Sequence, residues 1–178
     1  LNTTTILWSL IAVLLALTYP FMKRFHSLPQ AHLGAAFAWG IPMAFTAITS
    51  TSPPLIAWLL FTASMAWTVA YDTMYAMSDR ADDLKIGVKS SAILFGQYDK
   101  LIVGLLQIMT LGLLVLVGIL AGRGLIYYLG LIIAASLAIY QQTLIREREP
   151  KACFQAFLNN NWFGMAVFIG LSIDYLIT

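Results

Sequence analysis

Four of the eight acidic residues of this chain, Asp72, Asp79, Asp82 and Asp83, lie close together in a sequence that is 60% hydrophobic and 10% charged. In a helix, Asp72 and Asp79 lie two turns apart on one face, and Tyr75 and Asp83 continue that stripe. Carboxylates gathered near a bilayer repel one another unless a cation neutralises them. Mg²⁺ commonly binds one or two carboxylates together with substrate phosphates. The residues therefore predict a metal bridge to a diphosphate, with Asp79, Asp82 and Asp83 as ligands.

The run D-R-A-D-D-L-K is also compatible with a solvated loop in which opposite charges offset one another. Two features favour the metal site: Asp72 falls inside an apolar helix, and Lys89 and Ser90 follow as further anion contacts. A calcium-binding EF-hand is excluded, because the sixth position counted from Asp79 is Leu84 and the twelfth is Ser90, where Gly and Glu are needed.

Apolar segments must position these residues. The mean hydropathy of +0.82 leaves too little polar surface for a water-soluble protein, and a bilayer span needs about 20 apolar residues. The segments lack the alternating polarity of membrane strands. We therefore predict an all-α, polytopic transmembrane helix bundle that forms a single domain over residues 1–178. Six segments meet or approach the required length: 2–19, 31–50, 54–77, 99–121, 124–144 and 154–177.

The basic residues predict the orientation of this bundle. Nine of the ten lie on the first, third and fifth connections, whereas Arg123 alone lies on the fourth. The positive-inside rule then places the odd-numbered connections, and the acidic site with them, in the cytoplasm. We expect this helix bundle to contact a lipid bilayer and not a nucleic acid. The nine are Lys23, Arg24, Arg80, Lys85, Lys89, Lys100, Arg146, Arg148 and Lys151.

Aromatic and basic residues flank the acidic stripe. Trp67, Tyr71 and Tyr75 recur every four residues, and such a stripe either packs against neighbouring helices or shelters a cation against its ring faces. Tyr19 and Lys23 are also four apart. They are either an interfacial tyrosine with a snorkelling lysine or two contacts to one ligand.

Other positions carry smaller expectations. Pro42 should kink the second segment, and Arg148 belongs to a charged run that is most simply solvated. The amides of residues 159–161 predict polar contacts between helices, and Asp174 is expected to reach the outer interface. Cys153 is the one cysteine, which excludes an internal disulfide and a cysteine metal site.

Residues 71–96, Y-D-T-M-Y-A-M-S-D-R-A-D-D-L-K-I-G-V-K-S-S-A-I-L-F-G, resemble the second aspartate-rich motif of the UbiA family of membrane prenyltransferases, and in particular its bacterial 4-hydroxybenzoate branch. Y-P-F-M-K-R at 19–24 is similar to the family's Y-x-x-x-K element. Q-Y-D-K at 97–100 and A-C-F-Q-A-F-L-N-N-N at 152–161 continue the likeness. The family's first aspartate-rich motif, N-D-x-x-D-x-x-x-D, does not occur in this sequence. The chain therefore resembles the C-terminal two-thirds of a member, with six of nine spans, and its expected partner is the missing set of N-terminal helices.

The resemblance implies Mg²⁺-dependent transfer of a polyprenyl group from polyprenyl diphosphate to the ring of 4-hydroxybenzoate, in ubiquinone biosynthesis at the bacterial inner membrane. Asp72, Asp79 and Asp83 would be catalytic, with Asp72 placing the acceptor. An allylic cation would form and be attacked by the ring. The residues expected to bind substrates are Tyr19, Lys23, Tyr71, Tyr75, Lys85, Lys89 and Ser90.

Three alternatives remain open from the sequence. A sister prenyltransferase would use another aromatic acceptor, such as homogentisate or a naphthoate. A transporter or channel would use the intramembrane Asp72 to bind an ion. A chain without the first motif would be inactive by itself.

Overall fold

The computed structural model describes residues 2–26 and 28–177, except for the side chains of residues 23 and 24. Within these ranges the chain is helical and contains no strand, which confirms the all-α prediction. A 3₁₀ turn at Gly96–Tyr98 joins α5 to α6. The α-helices are α1 (Thr3–Phe25), α2 (Pro29–Ala38), α3 (Gly40–Thr49), α4 (Leu55–Ile86), α5 (Ser91–Phe95), α6 (Asp99–Leu120), α7 (Leu125–Leu144) and α8 (Pro150–Ile177).

Six stretches of the described chain are long and apolar enough to cross a membrane, as predicted; α2 with α3 forms one of them and α5 with α6 another. Large apolar side chains such as Leu17 and Ile108 are more than half exposed, as expected of surfaces that face lipid. One predicted end is wrong, because α1 continues through Pro20 to Phe25. Helix α4 extends beyond the apolar span and includes the acidic stripe as far as Ile86.

The second span breaks between α2 and α3 at Trp39. Pro42 lies three residues further on and has no N–H to donate to the carbonyl of Ala38, so the helix cannot continue regularly through this turn. The Trp39 indole instead donates to the Trp8 carbonyl of α1 at 3.1 Å. The predicted kink is confirmed, one turn before the proline that causes it.

Helix α4, which carries the acidic stripe, is the centre of the bundle and packs against α2, α6 and α8. Small side chains at its buried face, including Ala63 and Ala70, let these helices approach. The α7–α8 pair is even closer, because a Cβ on Gly130 would lie 2.9 Å from the Gly170 Cα.

Polar contacts close both ends of the bundle. At one end, Asp174 is 1% exposed and accepts hydrogen bonds from the Gly124 and Tyr127 backbone amides at 2.9 and 3.4 Å. Asp174 therefore lies beside the fourth connection, at the expected end of the bundle, but its carboxylate is buried and caps the start of α7. At the opposite end, Lys100 Nζ donates to the Arg146 carbonyl at 2.9 Å. The third and fifth connections thus share one end, as the charge pattern predicted.

Candidate active site

The acidic run is helical rather than a solvated loop. Helix α4 continues until Gly87, whose φ of 70° is left-handed and ends the helix. The amide hydrogens of Gly87 and Val88 both bond to the Asp83 carbonyl. Asp79 and Asp83 consequently occupy consecutive turns on one face of α4, and Asp72 lies two turns before Asp79.

The structure brings three of the predicted tyrosines to this acidic face. Tyr19 of α1 lies close enough to Asp72 and Tyr71 to interact with them electrostatically. Tyr75 interacts with Asp79 and also lies within range of Asp72 and Asp83. Asp72 is half-buried and has further interactions of its own. A ligand bound here would meet carboxylates and phenols from two helices.

A cavity of about 260 Å³ adjoins Asp83 at the end of α4, and Lys89 and Ser90 also line it. Ser90 is 3% exposed, and its hydroxyl bonds to no other described residue. A buried hydroxyl without a partner is costly, which makes it a ready contact for a bound anion. The predicted basic and hydroxyl groups therefore lie beside one of the predicted metal ligands.

Asp82 and Lys85 form an exposed ion pair with each other. Lys85 Nζ donates to the Asp82 carboxylate at 2.9 Å, and their side chains are 73% and 80% exposed, respectively. Across the described residues, no three His, Cys, Asp or Glu side chains are arranged to hold a metal. The metal role of Asp82 and the substrate role of Lys85 stay predictions, as does that of Lys23, whose side chain lies outside the described residues.

The aromatic stripe lines a larger cavity of about 510 Å³ between α2, α4 and α8. Trp67 stacks on Phe163 with ring centroids 5.4 Å apart and donates to Asn160 Oδ1 at 2.9 Å. Tyr71 packs against Phe157. The stripe therefore packs against a neighbouring helix, and Trp67 and Tyr71 also border a cavity. The sheltering of a cation by these rings stays a prediction. The cavity is lined by Phe37, Trp67, Tyr71, Phe157, Leu158, Asn160, Asn161 and Gly164.

Buried amides link the helices behind this cavity. Gln107 donates to Gln141 at 2.7 Å, and Gln141 donates to Asn159 at 3.0 Å. The predicted polar contacts of residues 159–161 are confirmed for Asn159 and Asn160. These bonds fix α8 against α4 and α7, and α7 against α6.

Sequence reasoning missed a buried ion cluster next to the acidic face. Asp99 at the start of α6 is 0% exposed and receives the guanidinium of Arg80 at 2.5 Å and that of Arg148 at 2.8 Å. Arg148 is therefore not simply solvated, and its hydrogen bond to Asp99 raises the pKa of its guanidinium. The backbone of Arg148 adopts a left-handed φ of 56°, which its side-chain contacts help to hold. The partners lie 19 and 49 residues from Asp99, too far for helical spacing to reveal.

These features define a multi-pass membrane protein with an acidic site at one end of its central helix. The model of the UbiA prenyltransferase family matches residues 1–168. The chain belongs to that family.

Its relatives include two bacterial proteins named 4-hydroxybenzoate octaprenyltransferase. The one from Aeromonas salmonicida (strain A449) is 59% identical over 177 residues, which are 99% of this chain and 61% of the relative. The one from Cronobacter sakazakii (strain ATCC BAA-894) is 61% identical over 176 residues, 99% of this chain and 60% of the relative. The chain thus spans about three-fifths of the length of these proteins.

Two solved structures share the fold. The apo structure of a UbiA homolog from Aeropyrum pernix K1 has a TM-score of 0.83 and 25% identity, over 98% of this chain and 66% of the homolog. A digeranylgeranylglyceryl phosphate synthase has a TM-score of 0.78 over 99% of this chain and 63% of its own. Its sequence is 18% identical to this chain, so the likeness shows a shared fold and carries no argument about function.

Proposed function

We propose that this chain supplies the C-terminal part of a 4-hydroxybenzoate polyprenyltransferase, which transfers a polyprenyl group from its diphosphate to the aromatic ring in ubiquinone biosynthesis. The relatives are longer than this chain, and we propose that additional N-terminal helices complete the enzyme. The observation that carries the proposal is the convergence of Asp72, Asp79 and Asp83 with Tyr19 and Tyr75 on one face. The names of the relatives support 4-hydroxybenzoate as the acceptor.

The donor set on α4 fits Mg²⁺. Asp79 and Asp83 present two carboxylates one turn apart, and Mg²⁺ typically takes one or two carboxylates while phosphates and water complete its shell. Asp82, three residues after Asp79 on the helix, would support them through its charge. When bound, Mg²⁺ supplies Lewis-acid stabilisation of negative charge on the diphosphate oxygens.

The chain's own residues have separate tasks in this proposal. Lys89 and the buried hydroxyl of Ser90 would contact the diphosphate beside Asp83, and Lys23 and Lys85 would add positive charge as it leaves. The rings of Tyr71 and Tyr75 would face the allylic cation, each good contact contributing about 1–2 kcal/mol. The apolar walls around Tyr71 would exclude water, which otherwise captures such a cation. Asp72 would orient the aromatic acceptor by contacting the phenolic hydroxyl of that acceptor.

The orientation follows from the basic residues. Nine of ten lie on or beside the connections at the end where α4 carries its acids, and the positive-inside rule assigns that end to the cytoplasm. We place the protein in the bacterial inner membrane with the active site facing the cytoplasm. Prenyl diphosphate would then bind from the cytoplasmic side while its tail lies among the apolar helices.

A chimera tests this function. The chain is expressed alone and also completed with the N-terminal part of the Aeromonas salmonicida relative, and both proteins are purified into lipid nanodiscs. Each is given polyprenyl diphosphate and 4-hydroxybenzoate, with Mg²⁺ or with EDTA, and products are identified by mass spectrometry. We expect Mg²⁺-dependent product from the chimera and none from the chain alone.

Two controls separate the alternatives. Homogentisate and a naphthoate replace 4-hydroxybenzoate in parallel reactions, and a preference for either would reassign the acceptor. The same chimera in liposomes is assayed for cation flux. Flux without any prenyl transfer would contradict the proposal and favour an ion-binding membrane protein.

A further inference from the structure

We propose that Asp99 is a positioning residue of the metal site, which holds the Arg80 guanidinium away from the acidic face of α4. This inference rests on the proposed function, because it assigns a role relative to Asp79 and Asp83. Asp99 itself touches neither of these predicted ligands. It acts through Arg80, the neighbour of Asp79 in the chain.

The end of α4 has little packing to fix its side chains. Its last buried residue is Met77, and every residue from Ser78 to Ile86 is partly or fully exposed. Within the described part of the chain, Arg80 is the residue of this stretch that hydrogen-bonds to another element. Its Nη2 donates to the Ala92 carbonyl at 2.6 Å and to Asp99 at 2.5 Å.

Without Asp99, Arg80 has a competing partner on its own helix. Residues three apart on a helix are neighbours, so Arg80 can reach Asp83, which is half-buried beside the cavity that Lys89 and Ser90 line. The Arg80 Nε is buried and has no hydrogen-bond partner among the described residues. The guanidinium is therefore incompletely satisfied by its present bonds. An arginine paired with Asp83 would neutralise a carboxylate that the metal needs.

Asp99 binds two arginines, of which Arg80 lies on α4 and Arg148 does not. Arg80 and Arg148 both bond to its carboxylate, which is 0% exposed. Arg148 lies on the connection before α8 rather than on α4, so its loss removes a bond to Asp99 without freeing a cation beside Asp83. Arg148→Gln is therefore a control for the stability of the cluster.

The test measures metal binding directly. Mn²⁺, used as the probe, is titrated into the chimera in nanodiscs, and bound ion is followed by electron paramagnetic resonance. Asp99→Asn should weaken Mn²⁺ binding about threefold, the size of a partly exposed ion pair at Asp83. Asp99→Asn combined with Arg80→Gln should restore it to within about 1.5-fold of the parent, because the competing cation is gone. Arg148→Gln should also bind Mn²⁺ within about 1.5-fold of the parent. Asp99→Asn and Arg148→Gln should each lower the unfolding temperature, because each removes a bond of the ion cluster.

The outcomes are decisive in either direction. The inference is overturned if Asp99→Asn weakens Mn²⁺ binding and Arg80→Gln does not restore it. It is also overturned if Arg148→Gln weakens Mn²⁺ binding as much as Asp99→Asn does, or if the parent protein binds no Mn²⁺. If Asp99→Asn does not fold, Asp99→Asn with Arg148→Gln removes one uncompensated arginine and should show the same weakening. Binding is measured without turnover, so a chimera that binds Mn²⁺ but transfers no prenyl group refutes the proposed function separately.

Discussion

The contact between α7 and α8 gives a quantitative prediction for the bundle. In Gly130→Ala the new Cβ would lie 2.8 Å from the Ala166 carbonyl oxygen and 2.9 Å from the Gly170 Cα. Both obstacles are backbone atoms, so no side chain can rotate away. The helices must separate by about half an ångström to restore ordinary contact, and overpacking of this kind costs roughly 1–3 kcal/mol.

Unfolding of the chain in mixed detergent micelles measures this cost, with the Gly130→Ala and parent proteins compared under identical conditions. Gly112→Ala on α6 is the matched control, because nothing lies within 4 Å of its new Cβ. We expect that control to equal the parent or to gain up to about 1 kcal/mol from its better helix propensity. If Gly130→Ala were as stable as Gly112→Ala, the close approach of α7 and α8 would be refuted.

Two buried polar contacts give further predictions. Asp174→Asn weakens the cap that accepts from Gly124 and leaves Arg123 without its carboxylate. It should lower the unfolding free energy by about 1–3 kcal/mol, measured in the same micelles; an unchanged value would contradict the cap. Trp67→Phe keeps the ring against Phe163 but loses the bond to Asn160. It should cost about 0.5–1.5 kcal/mol, and a double-mutant cycle with Asn160→Leu should show coupling rather than additivity.

The spans were predictable because hydropathy over about 20 residues is a local property of the sequence. The exact ends were not. Helix α4 continues past its apolar stretch because the acidic run is itself helical until Gly87, where the left-handed φ stops it. Helix α1 continues through Pro20 to Phe25, beyond the predicted end of the first segment at residue 19.

The candidate site was predictable where its residues follow one another on a helix. Asp72, Asp79, Asp83 and Tyr75 share a face of α4 through spacing alone. Asp99 was missed because its arginine partners come from other elements, and long-range pairing leaves no periodic signal in a single sequence.

Asp82 shows that spacing along a helix does not reveal which partner a side chain binds. Adjacent helical positions point about 100° apart, so Asp82 and Asp83 point in different directions. The carboxylate of Asp82 is exposed and accepts a hydrogen bond from Lys85. Spacing alone could not predict this pair, because Asp82 is also a helical neighbour of Asp79.

The most direct test of the account is the prenyl-transfer rate of Asp79→Asn and Asp83→Asn in the chimera, normalised to folded protein and compared with Asp174→Asn at the opposite end of the bundle. Each change replaces a carboxylate by its neutral isostere. We predict that the first two variants lose roughly 100-fold or more of the rate, as expected when charge stabilisation is removed, whereas Asp174→Asn stays within about threefold. Equal rates for all three variants would contradict a metal and diphosphate site on α4.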